Sequence, residues 1–141
     1  MSNELPKLIW SEDKKAQINS IEELNDWINK FIEEANSTGN SFAIELAVDS
    51  SSALFITIGQ PESHVEFFSE TGRPIVVACL GPWDSDDLIK FDGMGESCEM
   101  EKRYCVPVED ALTALRTYFL TGQRPNNIKW GTGGDPLPDG L

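Results

Sequence analysis

Apolar residues recur at helical spacing in residues 21–37, with acidic residues on the opposite face. The apolar stripe consists of Ile21, Leu24, Ile28, Phe31, Ile32 and Ala35. This spacing predicts an amphipathic helix that packs one face against a core. Ser20 and Glu23 have the spacing of a capping box at its start. We expect the Ser20 hydroxyl to accept from the Glu23 amide, and the Glu23 carboxylate to accept from the Ser20 amide.

A second helix is predicted to begin at Pro107, where the missing amide of a proline does no harm. Its buried stripe is Val108, Ala111, Leu112, Leu115 and Phe119. Glu109 and Asp110 lie in the first turn, where the helix dipole favours acids. Gly122 is placed to end the helix, because glycine readily takes the left-handed conformation found there.

Alternating or short apolar segments occupy most of the remaining chain, and this pattern is typical of strands. The predicted strands cover residues 7–10, 42–48, 53–58, 64–68, 74–79 and 126–130, with weaker candidates at 88–91 and 99–105. Strands clustered between two helices indicate an α+β fold. We expect an antiparallel sheet of about six to eight strands with two main helices packed on one face. The chain is expected to form a single domain over residues 1–141, with 131–141 as a loose tail.

The charge balance restricts the possible partners. Eleven basic and twenty-four acidic residues give a net charge of −13. This argues against direct binding of nucleic acid or of an anionic membrane, and favours a protein partner with a basic surface. No leader and no apolar run of the roughly 18–20 residues needed for a membrane span is visible, so a cytoplasmic location is expected.

The candidate chemistry is sparse. The cysteines at 79, 98 and 105 do not have metal-site spacing, so we expect no metal and no cofactor, with Cys79 in the core. His64 is the only histidine, and strand alternation would put it with Glu66 on a solvent-facing side. We therefore expect a surface histidine, no catalytic set and no enzyme. A small hydrolase that uses carboxylates or Cys105 is the less favoured alternative.

One local cluster is a candidate for partner binding. Between residues 83 and 101 the sequence contains seven acids and one base (Lys90), and it also carries Trp83 and Met94. An aromatic anchor among carboxylates suits a basic cleft, because the ring supplies desolvated area and the charges steer association. The alternative is a solvated hairpin whose acids prevent edge aggregation. The candidate residues are Trp83, Asp84, Asp86, Asp87, Asp92, Met94, Glu96, Glu99 and Glu101.

The C-terminal third contains three motifs: a P-x-x-x-A helix start, an F-x-T-G-x-x-P turn and a closing aliphatic-x-W. The motif residues are Pro107, Ala111, Phe119, Gly122, Pro125 and Trp130. Together these motifs resemble the first immunity-protein family of bacterial polymorphic toxin systems. The motif residues occupy capping and core-type positions, so we expect structural roles for them. The match upstream is looser but collinear, and residues 82–105 depart from the family pattern.

The resemblance implies an immunity protein that binds and neutralises a cognate toxin. The expected toxin is a deaminase or another nucleic-acid-damaging toxin, blocked at its basic active-site groove. An acidic protein-binding or regulatory module with a non-toxin partner is the alternative, and it would share the same fold and charge.

Overall fold

A computed structural model of the chain describes residues 5–10, 14–72, 74–93, 96–132 and 135–136. Within these ranges the chain forms two α-helices, twelve short strands and one 3-10 turn. The helices are α1 (Ile21–Thr38) and α2 (Val108–Thr121), and the turn is Lys102–Tyr104. The strands are β1 (Lys7–Ile9), β2 (Lys15–Gln17), β3 (Phe42–Asp49), β4 (Ser52–Ile58), β5 (Glu62–Ser63), β6 (Glu66–Ser69), β7 (Val76–Leu80), β8 (Leu88–Gly93), β9 (Glu96–Glu101), β10 (Val106–Pro107), β11 (Lys129–Thr132) and β12 (Asp135–Pro136).

Eight of these strands form one antiparallel sheet in the order β12-β11-β7-β6-β4-β3-β1-β2. Both helices pack against the central strands on one face, so the predicted α+β architecture is confirmed. Strand alternation sends Leu54 and Phe67 into the core, while their neighbours Phe55 and Glu66 point to the opposite face. We call that opposite side the outer face.

Helix α1 begins where the capping pattern placed it. The Ser20 hydroxyl accepts from the Glu23 amide at 3.2 Å, as predicted. The reciprocal bond differs, because the Glu23 carboxylate accepts from the Asn19 amide at 2.6 Å and not from the Ser20 amide. Both bonds occupy amides that would otherwise lack partners at the helix start.

Helix α2 is fixed by the residues of the C-terminal motifs. Pro107 is its N-cap, and Gly122 ends it with a φ of 71° and an amide that donates to the Tyr118 carbonyl at 2.7 Å. Trp130 lies in the core and donates from its indole to the Pro125 carbonyl at 2.7 Å. Pro107 and Gly122 thus lie at the two ends of α2, and Trp130 lies in the core with its ring centroid 6.3 Å from that of Phe67.

Several of the predicted strands differ from those in the structure. The two weaker candidates form a separate hairpin of β8 and β9, outside the main sheet. The last predicted strand lies further along the chain, since β11 begins at Lys129. Thr132 pairs with Asp135 in β12, so the sheet continues into the segment predicted to be a loose tail. Residues 133–134 and 137–141 of that tail lie outside the described ranges.

Neither described helix has the length and apolar character required to cross a bilayer.

Candidate partner-binding site

The loop that follows β7 is held by backbone hydrogen bonds to the 3-10 turn. We call residues 81–87 the acidic loop. Its Gly81 amide donates to the Arg103 carbonyl at 2.7 Å. In return the Arg103 amide donates to the Ser85 carbonyl at 3.0 Å, and the Lys102 amide to the Asp87 carbonyl at 2.8 Å. Three backbone bonds over seven residues give this loop a defined shape.

The acidic loop approaches the turn so closely that its first residue must be glycine. A Cβ atom at Gly81 would lie 1.8 Å from the Cys105 carbonyl oxygen and 3.2 Å from the Arg103 carbonyl oxygen. Both atoms belong to the backbone and cannot rotate aside as a flexible side chain would. The absence of a side chain at position 81 therefore permits the docking of the loop.

Trp83 is half-buried beside a lysine of the turn. The Lys102 ammonium lies 4.8 Å from the Trp83 ring centroid, which is within the range of a cation–π contact. The same ammonium is 3.9 Å from a Glu62 carboxylate oxygen. Trp83 thus retains exposed ring area. Its cation–π partner, Lys102, lies just outside the acidic cluster identified in residues 83–101.

The three aspartates of the acidic loop, Asp84, Asp86 and Asp87, are exposed. Glu99 is also exposed, whereas Glu101 is half-buried and pairs with the Arg103 guanidinium. The loop therefore presents three carboxylates to solvent on one short, hydrogen-bonded segment.

The hairpin of β8 and β9 directly follows the acidic loop in the chain. Its Lys90 lies directly opposite Glu99, and Phe91 is 2% exposed. The Gln60 side-chain amide donates to the Lys90 carbonyl at 3.1 Å, and β8 packs beside β3. The hairpin therefore has its own buried contacts.

Three candidate residues of the hairpin are only partly placed. Asp92 and Glu96 take part in the paired backbone, in register with Ser97 and Gly93, but their side chains lie outside the description. Met94 lies outside the described residues altogether.

The surface carries more positive charge than the sequence cluster indicated. Folding brings Lys102 and Arg103 against the acidic loop, in addition to Lys90 in the hairpin. Because these cations lie among the acids, the local field is weaker than a run of seven carboxylates would give. The three loop aspartates and Glu99 remain exposed.

His64 contradicts the expectation of a surface histidine, since it is only 5% exposed. The strand interpretation was wrong here because β5 ends at Ser63 and β6 begins at Glu66, so alternation does not apply across the break. Ser63, His64 and Val65 are consecutively buried.

Both ring nitrogens of His64 face hydrogen-bond acceptors. Nδ1 lies 2.7 Å from the Tyr104 carbonyl oxygen, and Nε2 lies 2.9 Å from a Glu66 carboxylate oxygen. Burial is the largest influence on the pKa of His64 and lowers it. The Cys79 side chain, Glu66 and the Tyr104 carbonyl together raise it by more, so the pKa is about 10. The hydrogen bond from His64 also lowers the pKa of Glu66.

Cys79 lies in the core, as expected. Its thiol donates to the same Tyr104 carbonyl at 3.0 Å and accepts from the Val65 amide at 3.3 Å. Cys105 is fully buried too, and its thiol lies 3.7 Å from the Glu101 carbonyl oxygen. Neither thiol is accessible to a substrate, and both His64 nitrogens are already engaged, so this cluster does not form a working nucleophile–base pair.

The outer face of the sheet carries exposed apolar side chains. Phe68 and Val76 lie side by side on β6 and β7, with exposures of 39% and 47%. Ile75 is next to them and is also exposed. Sequence reasoning did not single out this patch, because Phe68 and Val76 were assigned to ordinary strands. It is a second surface where a protein could dock.

Comparison with known proteins gives one family. The family described as "Immunity protein Imm1" matches residues 12–132, which include both helices, the acidic loop, the hairpin and all of the C-terminal motif residues. A comparison with curated proteins gives no match. The match covers most of the sequence and agrees with the resemblance seen in the C-terminal motifs. The chain therefore belongs to the Imm1 family of immunity proteins.

Proposed function

We propose that this Imm1 protein neutralises its cognate toxin by placing the acidic loop and the β8–β9 hairpin against a basic groove of that toxin. Membership of an immunity family implies a toxin as the partner. The acidic loop supports this choice of binding surface, because its exposed carboxylates are held in a defined geometry next to Trp83. The contact residues of the proposal are Trp83, Asp84, Asp86, Asp87, Asp92, Met94, Glu96, Glu99 and Glu101.

The geometry of the loop favours tight binding. A loop that must be ordered during association loses part of its interaction free energy to that ordering. The bonds from Gly81 and to Ser85 and Asp87 already hold the backbone in the free protein. Protection of the producing cell requires a Kd of about 1 nM or below, or about −12 kcal/mol. A preformed contact surface makes such an affinity easier to reach.

Charge supports both the choice of partner and a mode of inhibition. A toxin that acts on nucleic acid, such as a deaminase, needs a basic groove for its phosphate-bearing substrate. A protein of net charge −13 with exposed loop aspartates is attracted to such a groove and would exclude the substrate from it. The protein then acts by occlusion and not by catalysis, in the cytoplasm, without a cofactor and without contacting nucleic acid or membrane itself.

The test reverses the three loop aspartates to lysine together: Asp84→Lys, Asp86→Lys and Asp87→Lys. A matched control reverses three exposed acids of α1, namely Asp26, Glu33 and Glu34. Both triple variants move the formal net charge from −13 to −7, because each reversal adds two charges. Only the first variant changes the proposed contact surface.

Binding kinetics would be measured against the purified catalytic domain of the cognate toxin. The loop variant should associate at least about tenfold more slowly at low salt, and the α1 variant should differ from wild type by less than about twofold. Equal effects of both variants would assign the attraction to net charge alone. Normal binding by the loop variant, together with lost binding by Phe68→Ser, would move the contact to the apolar patch.

A further inference from the structure

One backbone carbonyl links the core of the sheet to the acidic loop. The Tyr104 carbonyl accepts from the His64 ring at 2.7 Å and from the Cys79 thiol at 3.0 Å. Tyr104 ends the 3-10 turn whose Lys102 and Arg103 amides bond to the acidic loop. The loop is therefore attached to the turn, and the turn is attached to the sheet through this carbonyl.

The His64 ring is bound on both sides in a way that suits its charged form. A neutral imidazole has one N–H donor and one nitrogen lone pair, whereas the imidazolium has two donors. The two groups that face the nitrogens, the Tyr104 carbonyl and the Glu66 carboxylate, are both acceptors. In the neutral ring, the nitrogen that carries no proton would direct its lone pair at an acceptor oxygen, which is unfavourable. The doubly protonated ring satisfies both contacts.

The neighbours of His64 come from three elements. Glu66 lies on β6, Cys79 on β7 and the Tyr104 carbonyl in the 3-10 turn. A positive charge buried among these groups gives two charge-assisted hydrogen bonds, which are about twice as strong as neutral ones. Since His64 lies 40 residues before Tyr104, the bond joins distant parts of the chain and acts as a tie between them.

We propose that His64 is the positioning residue of the toxin-binding surface: its imidazolium ties the 3-10 turn to the sheet and thereby holds the acidic loop in the shape that docks. His64 is buried and does not touch the toxin. This proposal depends on the proposed function for its binding consequence, but its structural part can be tested without any toxin.

The first experiment is amide hydrogen exchange of the free protein, comparing wild type with His64→Gln. The reporters are the amides of Gly81, Lys102 and Arg103, which donate the three loop–turn bonds. The references are core amides of β4 and α2, such as those of Leu54 and Leu115. The measured quantity is the ratio of protection between core and loop, because a general loss of stability lowers the protection of both sites equally.

The positioning role predicts that this ratio rises by about tenfold to a hundredfold in His64→Gln, the factor expected when a charge-assisted hydrogen bond is lost. Glu45→Gln is the control, because Glu45 lies on the same outer face as Glu66 and is not a hydrogen-bond partner of His64. It should leave the ratio nearly unchanged. An unchanged ratio in His64→Gln would show that His64 only supports the core, and would overturn the proposal.

The second experiment measures toxin binding by the same variants across pH 6 to 10. The affinity of His64→Gln should be about tenfold lower than that of wild type near pH 7. This difference in affinity should shrink toward pH 10, because wild-type His64 then loses its proton and its charge-assisted hydrogen bonds. Glu66→Gln keeps an acceptor but removes the negative charge, so its affinity should begin to fall at lower pH than that of wild type.

The outcomes separate the two proposals. If wild type does not bind the toxin, the proposed function fails, and the exchange ratio still decides whether His64 holds the loop. If wild type binds and the ratio changes in His64→Gln while affinity stays within about twofold, the loop geometry is not used in binding and the positioning role is wrong.

Discussion

The buried His64–Glu66 pair predicts a specific dependence of stability on pH. The perturbation is a rise in pH in wild type and in His64→Gln. The pKa of His64 is raised from 6.5 to about 10 on folding, so the folded state binds its proton more tightly than the unfolded state. The resulting stability is fully present below pH 6.5 and is lost as the pH rises through 10.

The size of this pH effect on stability follows from the linkage between proton binding and folding. Where only the folded state holds the proton, stability falls by about 1.4 kcal/mol for each pH unit. Between pH 7 and pH 9, wild type should therefore lose about 2–3 kcal/mol relative to His64→Gln. The Glu66 carboxylate has the opposite sign: its pKa is lowered from 4.5, so its contribution is present above that pH and is lost under more acidic conditions. The pair stabilises the fold most between about pH 4.5 and 6.5.

The assay is urea unfolding at a series of pH values. Taking the difference between wild type and variant removes the titration of lysines, tyrosines and cysteines common to both proteins. Glu45→Gln is a suitable control, since Glu45 lies on the same outer face and is not a partner of His64. It should keep the wild-type slope. A difference between wild type and His64→Gln that is flat from pH 6.5 to 10 would refute the charged, buried histidine.

Three further predictions concern Gly81, Tyr118 and Ser20 and are tested by urea unfolding. Gly81→Ala places a Cβ 1.8 Å from a backbone oxygen, so it should cost about 2–4 kcal/mol. In contrast, Gly39→Ala meets nothing within 4 Å and should cost only about 1 kcal/mol, from its positive φ; equal costs would contradict the close approach at Gly81. Tyr118→Phe removes a hydroxyl that lies 2.6 Å from the Ser52 hydroxyl and should cost about 1–2 kcal/mol, whereas a neutral result would show that this bond contributes nothing. Ser20→Ala removes the α1 cap and should cost about 1 kcal/mol, with restoration by Ser20→Asp.

Local patterns predicted the helices because their signals lie within a few residues. The Ser20 cap, the α1 stripe and the Gly122 terminus depend on spacings of three or four positions, and all three occur in the structure. The same holds for Trp130, which a hydrophobic closing motif places in the core. The fold class and the family were therefore accessible from sequence alone.

The contacts that shape the candidate site join residues far apart in the chain. His64 meets Tyr104 across 40 positions, and Gly81 meets Cys105 across a loop and a hairpin. No periodicity marks such pairs. The break between β5 and β6 also removed the alternation on which the exposure of His64 was predicted. Lys102 and Arg103 fell just outside the acidic cluster in sequence, although folding brings them against it.

Hydrogen exchange of this protein in complex with its toxin tests the central claim most directly. Comparing the free and bound states shows which backbone amides the partner covers. We expect new protection in the acidic loop and in the β8–β9 hairpin, with little change in the exposed face of α1. Protection confined to Phe68 and Val76 on the outer face, or no new protection at equimolar concentrations well above 1 μM, would contradict it.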